Sequence, residues 1–205
     1  VGTLAPKKRK HVFIPLNVFF REKIYFLFIV HFEYILIELN LWNKNAKIKV
    51  IAYESLTCRF CGDFHTKIYP ELKKEFIDTG LINIEFRNFP LDLAALNASK
   101  IAHCENNGDS KILHYLYKRQ NQWIKGNNIL EINSNLKNSL KDSSFNLDFE
   151  KCVNNKSLED RILEERIDGA KKYNIQSTPT LIINDKKFDK KLNYKNLKKT
   201  LEKMI

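Results

Sequence analysis

Residues 54–76 read "ESLTCRFCGDFHTKIYPELKKEF", and the two cysteines near the start of this stretch decide how the rest of the chain is read. Upstream, "IKVIAY" (Ile48–Tyr53) is apolar and β-branched, the pattern of a buried strand. Downstream, Phe60, Phe64, Ile68 and Leu72 recur every four residues, the stripe of an amphipathic helix. Pro70 should kink that helix, and Gly80 in "DTGL" should end it. Cys58 and Cys61 therefore stand at a strand-to-helix junction, two residues between them.

A thiol attacks only as thiolate, and a helix N-terminus with its free N–H groups favours an anion. Cys58 falls where the helix begins, and Arg59 adds a positive charge beside it. Cys61 lies about one turn further on and can close a short disulfide. Cys58 then reads as the attacking thiol and Cys61 as the one that resolves the mixed disulfide. Zinc is a competing reading, because Cys58, Cys61 and His65 have C-x2-C-x3-H spacing. A structural zinc site wants four ligands, usually as two close pairs, and Cys104 and Cys152 stand apart in sequence. Inert packing of both thiols is the third reading. His65 itself reads as a residue that packs on the helix or bonds locally.

Further along, "STPT" (Ser177–Thr180) opens a short strand, "LIIN". A proline at a strand mouth cannot donate to the ladder, and an X-Pro bond tolerates cis. A cis bond at Pro179 would turn the backbone of Thr178 outward, free to pair with an extended peptide beside the Cys58 sulfur. Between these two signals, "LINIEFRNF" (Leu81–Phe89) is a second strand. Residues 91 to about 170 read as mostly helical, with loops near Gly126–Asn128 and Asp142–Asn146. "KKF" should pair beside the strand after Pro179, and "YKNLKKTLEKMI" closes the chain as an amphipathic helix. Strands alternating with helices define an α/β class.

These elements, in this order, resemble the thioredoxin superfamily. More narrowly, they are similar to the DsbA-type thiol:disulfide oxidoreductases of bacteria, in their alphaproteobacterial branch. The stretches that carry the resemblance are "NAKIKVIAYESLTCRFCGDFH", "YPELKKEFIDTGLINIEFRNFPLD", "ALNASKIAHC" and "YNIQSTPTLIIN", from about Asn45 to the C-terminus. The resemblance implies an α/β thioredoxin fold with an inserted helical domain at about 91–170. It implies oxidation of cysteines in unfolded or extended exported polypeptides, without metal or organic cofactor. It further implies a periplasmic location and reoxidation by a membrane quinone-linked protein. The family's nucleophile falls on Cys58, its resolving thiol on Cys61 and its cis-proline on Pro179, preceded by Thr178. A reductase or isomerase is the alternative within the enzymes, and a zinc-stabilised binding module the alternative outside them.

Two positions depart from the family pattern. Phe60 stands where a histidine often stabilises the thiolate. Ala52 stands where the family tends to keep a buried acid, six residues before the nucleophile. Glu54, two residues on, shares a strand face with Ala52 and can take over as proton acceptor. A surface glutamate at the strand end is the other reading. Cys104 and Cys152 are 48 positions apart inside the helical block, and related proteins carry a noncatalytic disulfide at similar spacing; two buried free thiols are the alternative.

The chain of 205 residues carries 35 Lys and Arg against 24 Asp and Glu, a net charge of +11. The lysines are spread along helical stretches beside acids, and no groove-reading motif accompanies them, so a solvated basic surface is expected rather than nucleic-acid binding. Residues 1–44 match nothing in the family. "PKKRK" at 6–10 followed by "IYFLFIVHFEYILI" at 24–37 reads as an export signal or an uncleaved inner-membrane anchor. A buried segment or a mis-assigned start is the alternative.

Overall fold

The computed structural model describes residues 46–104, 111–141 and 143–205. The N-terminal extension read at 1–44, with its basic cluster and apolar run, lies outside the described residues, as does Asp142 of one expected loop. Among the described residues no helix is long and apolar enough to cross a membrane.

Strand β1 (Ile48–Glu54) is central. It pairs in parallel with β2 (Ile82–Asn88), Ile48 opposite Ile82 and Glu54 opposite Asn88. On its other side it pairs antiparallel with β3 (Thr180–Ile183), Val50 opposite Ile183. The short β4 (Lys186–Lys187) completes a four-stranded sheet in the order β2-β1-β3-β4. Its two exposed lysines blunt the sheet edge against further pairing. Asn184 and Asp185 both have positive φ, the two-residue turn that matches the twist of a hairpin.

Alternation in β1 divides the sheet into two buried faces. Ile48, Val50 and Ala52 join Phe64, Leu72, Phe76, Leu181, Leu197 and Leu201 on one face. Tyr53 joins Phe89, Ile175 and Ile182 on the other. Burial on both sides explains why these strands read as continuous apolar runs. On the second face Gly169 lies so close to Tyr53 that a Cβ there would fall 2.5 Å from the ring.

Helix α1 covers residues 59–77. It is α-helical over Arg59–Asp63 and Tyr69–Leu72, and widens to π-helical turns over Phe64–Ile68 and Lys73–Ile77. The first widening immediately precedes Pro70, which has no N–H to give the preceding turn. The expected kink is thus taken up as a wide turn. Gly80, at φ 73°, ends the crossover to β2.

The helical block comprises α2 (Leu93–His103), α3 (Lys111–Lys118), α4 (Gln120–Trp123), α5 (Ile129–Lys141), α6 (Phe149–Val153) and α7 (Lys156–Tyr173). Asp92, Asp148 and Asn155 cap α2, α6 and α7 through their side chains. Helix α8 (Tyr194–Glu202), capped by Asn193, packs on the sheet. The block has its own core around Ile101, Leu116, Trp123, Leu136 and Cys152, and Leu56 and Cys61 belong to it. The CxxC segment therefore sits where the sheet's core and the block's core meet.

Cys104 and Cys152 are joined by a disulfide, with Cα atoms 5.5 Å apart. It ties the end of α2 to α6. Closing a loop of 48 positions stabilises by up to about 4 kcal/mol on chain-entropy grounds. Replacing both by alanine should lower the unfolding free energy in urea by up to about that amount. The Cys58 thiol should still titrate as in the parent protein. A double variant as stable as the parent would show that the bond contributes nothing.

Candidate active site

The chain leaves β1 at Glu54 and turns into α1 through Ser55–Thr57. The turn is held from several sides. The Cys58 N–H donates to the Ser55 carbonyl at 3.0 Å. Thr57 Oγ1 donates to Asp92 Oδ2 at 2.7 Å, while Asp92 Oδ1 caps α2. Gln120 of the helical block donates from Nε2 to the carbonyls of Leu56 at 2.7 Å and Cys58 at 2.9 Å. Gly62 makes room for this clamp: a Cβ there would fall 2.2 Å from Gln120 Oε1.

Cys58 takes the N-cap position of α1 with extended backbone, its thiol half-buried. Cys61, one turn in, is fully buried. Both are free thiols. The Cys58 pKa is lowered to about 5, first by hydrogen bonding from Cys61, then by the Thr178 side chain and the backbone N–H groups of Cys61 and Phe60. Burial of the sulfur opposes this only in part. Cys61 is pushed far the other way, first by burial, then by its hydrogen bond to Cys58 and the Glu54 charge. One thiol is thus ionised at neutral pH while its neighbour keeps its proton, the asymmetry that exchange chemistry requires.

Arg59 is exposed, and its charge is not among the leading causes of the Cys58 shift. The expected contribution of Arg59 therefore passes to hydrogen bonds. Phe60 presents its ring to solvent, 70% exposed, and assists the thiolate only through its backbone N–H.

The Thr178–Pro179 bond is cis. Thr178 meets the sulfur with two groups. Its carbonyl accepts the Cys58 S–H at 3.2 Å. Its buried hydroxyl has no hydrogen-bond partner while Cys58 keeps its proton, and it is a donor that favours the thiolate once that proton leaves. Cys58 and Thr178, 120 positions apart in sequence, are brought together by the pairing of β1 with β3.

Glu54 is buried, 4% exposed, on the α1 side of the sheet, as the strand alternation requires. Its carboxyl pKa is raised well above the ordinary value, first by burial and then by the Cys58 charge. It is no surface glutamate: Oε2 lies 2.7 Å from His65 Nε2. The other ring nitrogen of His65, Nδ1, lies 2.7 Å from His114 Nδ1. Both nitrogens are thereby occupied, which removes His65 as a third ligand beside Cys58 and Cys61. Sequence reading left His65 as a packing residue and passed over His114. The available signal was position: His65 follows Cys58 by seven residues, two helical turns, on the face that meets the sheet.

Taken together, a half-buried low-pKa thiol, a buried partner thiol and a threonine carbonyl before a cis-proline define a dithiol site on a thioredoxin fold with a helical insertion. The chain belongs to the Thioredoxin family, whose profile matches residues 39–203 and so begins ahead of Asn45, within the stretch 1–44 expected to lie outside the family. A crystal structure of Wolbachia pipientis alpha-DsbA1 superposes with a TM-score of 0.71 at 27% identity, covering 78% of this chain and 86% of that one. Disulfide bond formation protein D of Bacillus subtilis is 26% identical over 175 residues, 80% of this chain and 76% of its own length. A putative protein-disulfide oxidoreductase of Rickettsia bellii is 36% identical over 97 residues, 46% of this chain. The chain spans only 38% of the length of that Rickettsia bellii relative and 53% of one from Rickettsia conorii.

Proposed function

We propose that the protein is a thiol:disulfide oxidoreductase that passes the Cys58–Cys61 disulfide to cysteine-containing polypeptides. The observation that carries this reading is the pair of opposed thiols, Cys58 lowered to about 5 and Cys61 raised, with the Thr178 carbonyl 3.2 Å from the attacking sulfur. A client thiolate attacks Cys58 Sγ, the intramolecular disulfide breaks, and its electron pair leaves on Cys61. A second client thiolate then attacks the client sulfur, and Cys58 leaves as a stable thiolate. Exposed Phe60, Leu91 and Leu93 suit an extended, partly apolar client. Asp92 between the two leucines bonds Thr57 beside the nucleophile, so this apolar surface adjoins the reacting sulfur.

The remaining parts of the reading follow from the chemistry. A low nucleophile pKa favours the reduced form, hence the oxidising direction over reductase or isomerase action. The Cys104–Cys152 disulfide suits an oxidising compartment, and we place the protein in the periplasm, soluble or held to the inner membrane by residues outside the described region. A membrane quinone-linked protein would return Cys58–Cys61 to the disulfide.

The test is the equilibrium potential of Cys58–Cys61 against glutathione. Measured pairs run from about −270 mV for thioredoxin to about −120 mV for the strong oxidant DsbA. Phe60 offers no side-chain donor, and a charged hydrogen bond is worth about 1.5–3 kcal/mol. For two electrons about 1.4 kcal/mol is 30 mV. The potential should fall some tens of millivolts short of the strongest oxidants and above thioredoxin. Phe60→His should raise it by about 30–60 mV and lower the Cys58 pKa further. A potential at or below that of thioredoxin would make the protein a reductase.

A further inference from the structure

We propose that Gln120 of the helical block is a positioning residue for disulfide exchange, holding the carbonyls of Leu56 and Cys58 so that the N–H groups at the start of α1 are left to the Cys58 sulfur. The inference rests on the exchange activity proposed above and adds a residue, outside the dithiol loop, that acts through the nucleophile's own backbone.

Cys58 is the N-cap of α1, and an N-cap side chain takes the free N–H groups two and three residues on. Here these belong to Phe60 and Cys61, and both favour the Cys58 thiolate. The Cys61 N–H has a competing acceptor. While the sulfur keeps its proton, this N–H donates at 3.1 Å to the Cys58 carbonyl, which also receives the Gly62 N–H at 3.2 Å. A carbonyl oxygen accepts through two lone pairs, and leaving one out of water and short of donors is costly. Gln120 Nε2 donates to this carbonyl at 2.9 Å and to that of Leu56 at 2.7 Å. With Gln120 and Gly62 serving the Cys58 carbonyl, the Cys61 N–H is free to turn to the sulfur when the thiolate forms.

The amide is itself held in place. Gln120 opens α4, and three residues on Trp123 is fully buried in the core of the helical block, its Nε1 donating to the Leu116 carbonyl at 3.0 Å. Only the NH2 end of the amide can meet two carbonyls, so Oε1 is turned toward Gly62. A Cβ at Gly62 would fall 2.2 Å from Oε1 and 2.9 Å from Cδ. That obstacle is the far end of a flexible side chain, and Gly62 lies in the helical turn Arg59–Asp63, where alanine is the better helix former. Gly62→Ala therefore displaces the amide rather than the backbone, and opens the clamp from the α1 side with Gln120 still present.

The titratable groups around the sulfur are Cys61 of α1, Glu54 of β1 and Tyr117 of α3. The Gln120 amide is uncharged. Gln120→Met keeps the length of the side chain, removes both donated hydrogen bonds and leaves every one of those charges where it was.

The experiment uses the full chain. The Cys58 thiolate is titrated by its absorbance near 240 nm, and the Cys58–Cys61 pair is equilibrated with glutathione. Gln120→Met and Gly62→Ala should each raise the titration midpoint by about half a pH unit or more. Each should lower the equilibrium constant for reduction by glutathione about threefold or more, because the reduced form loses part of its thiolate stabilisation. The double variant should match either single variant rather than their sum, since both open the same contact. Gln120→Glu, which sets a carboxylate against the two carbonyls, should raise the midpoint further than Gln120→Met. A tie that only fastens the helical block to the loop would lower the urea midpoint and leave the titration and the equilibrium constant alone. Parent values of both in either single variant, or effects that add in the double variant, would overturn the proposal. A parent protein that forms no Cys58–Cys61 disulfide with glutathione would instead overturn the exchange function itself.

Discussion

Cys58→Ser should reduce disulfide exchange to the uncatalysed background, and Cys61→Ser should accumulate the protein in mixed disulfides with its clients. The asymmetry of the two thiols leads to both results. Cys58 is half-buried with a pKa near 5, so at pH 7 it is almost wholly thiolate. Without it the remaining thiol is Cys61, which is fully buried and held protonated, first by its burial. Cys61→Ser leaves the attacking sulfur intact but removes the group that expels the client. Non-reducing electrophoresis and peptide mass mapping would show the trapped partners. The absorbance of thiolate near 240 nm should titrate around pH 5 in the parent and vanish in Cys58→Ser. Residual exchange in Cys58→Ser, together with no trapping by Cys61→Ser, would reverse or abolish these roles.

The second large effect is on stability. The reduced protein should gain stability over the oxidised one as pH rises from 5 to 9. In the reduced fold the Cys58 pKa is about 5, against 9.0 for an ordinary thiol in the unfolded chain. A depressed acid stabilises the fold fully above its unfolded pKa and loses that contribution as pH falls through the window, to nothing below the folded value. The oxidised protein has no thiol at Cys58 and lacks the contribution throughout. At pH 7 only the lower half of the window has been crossed, and solvent screens a half-exposed sulfur. The gain relative to pH 4 should therefore be about 1–2 kcal/mol. His65, lowered to about 3 by burial, destabilises the fold as pH drops below 6.5, but does so in both redox forms. Urea unfolding of both forms at pH 4 and pH 7 would measure the difference. A difference that does not change with pH would mean that the thiolate is not stabilised by the fold.

The same comparison bears on Glu54. An acid whose pKa burial raises in the fold ionises less readily there than in the unfolded chain, which opposes folding as pH rises through the ordinary carboxylate range. Its place beside the thiols is thus a cost in stability, of the kind that marks functional groups. The resemblance to DsbA-type proteins pointed to an acid at position 52, where this chain has alanine. The acid stands two residues later on the same strand face, and the fold brings it to the thiols from there.

Local pattern alone determined much of this protein. The buried strands, the helix after Cys58, the turn at Gly80, the strand after Pro179 and the closing helix were all legible, because hydrophobic period, proline and glycine act within a few residues of themselves. Cys58 and Cys61 were legible as a redox pair for the same reason, since a strand-to-helix junction is a local event. What the chain's order could not supply was which distant groups meet the sulfur. Arg59, adjacent in sequence, turned out to face solvent, while Thr178, 120 residues away, lies 3.2 Å from the thiol. Glu54 could be read equally as a surface residue until β1 was seen flanked on both sides and covered by α1. His114 carries no signal of its own in α3; it reaches His65 only because the helical block packs over the first turns of α1. Burial and hydrogen-bond partners depend on how separate elements pack, and that packing, not any local period, sets the two cysteines' opposite affinities for a proton.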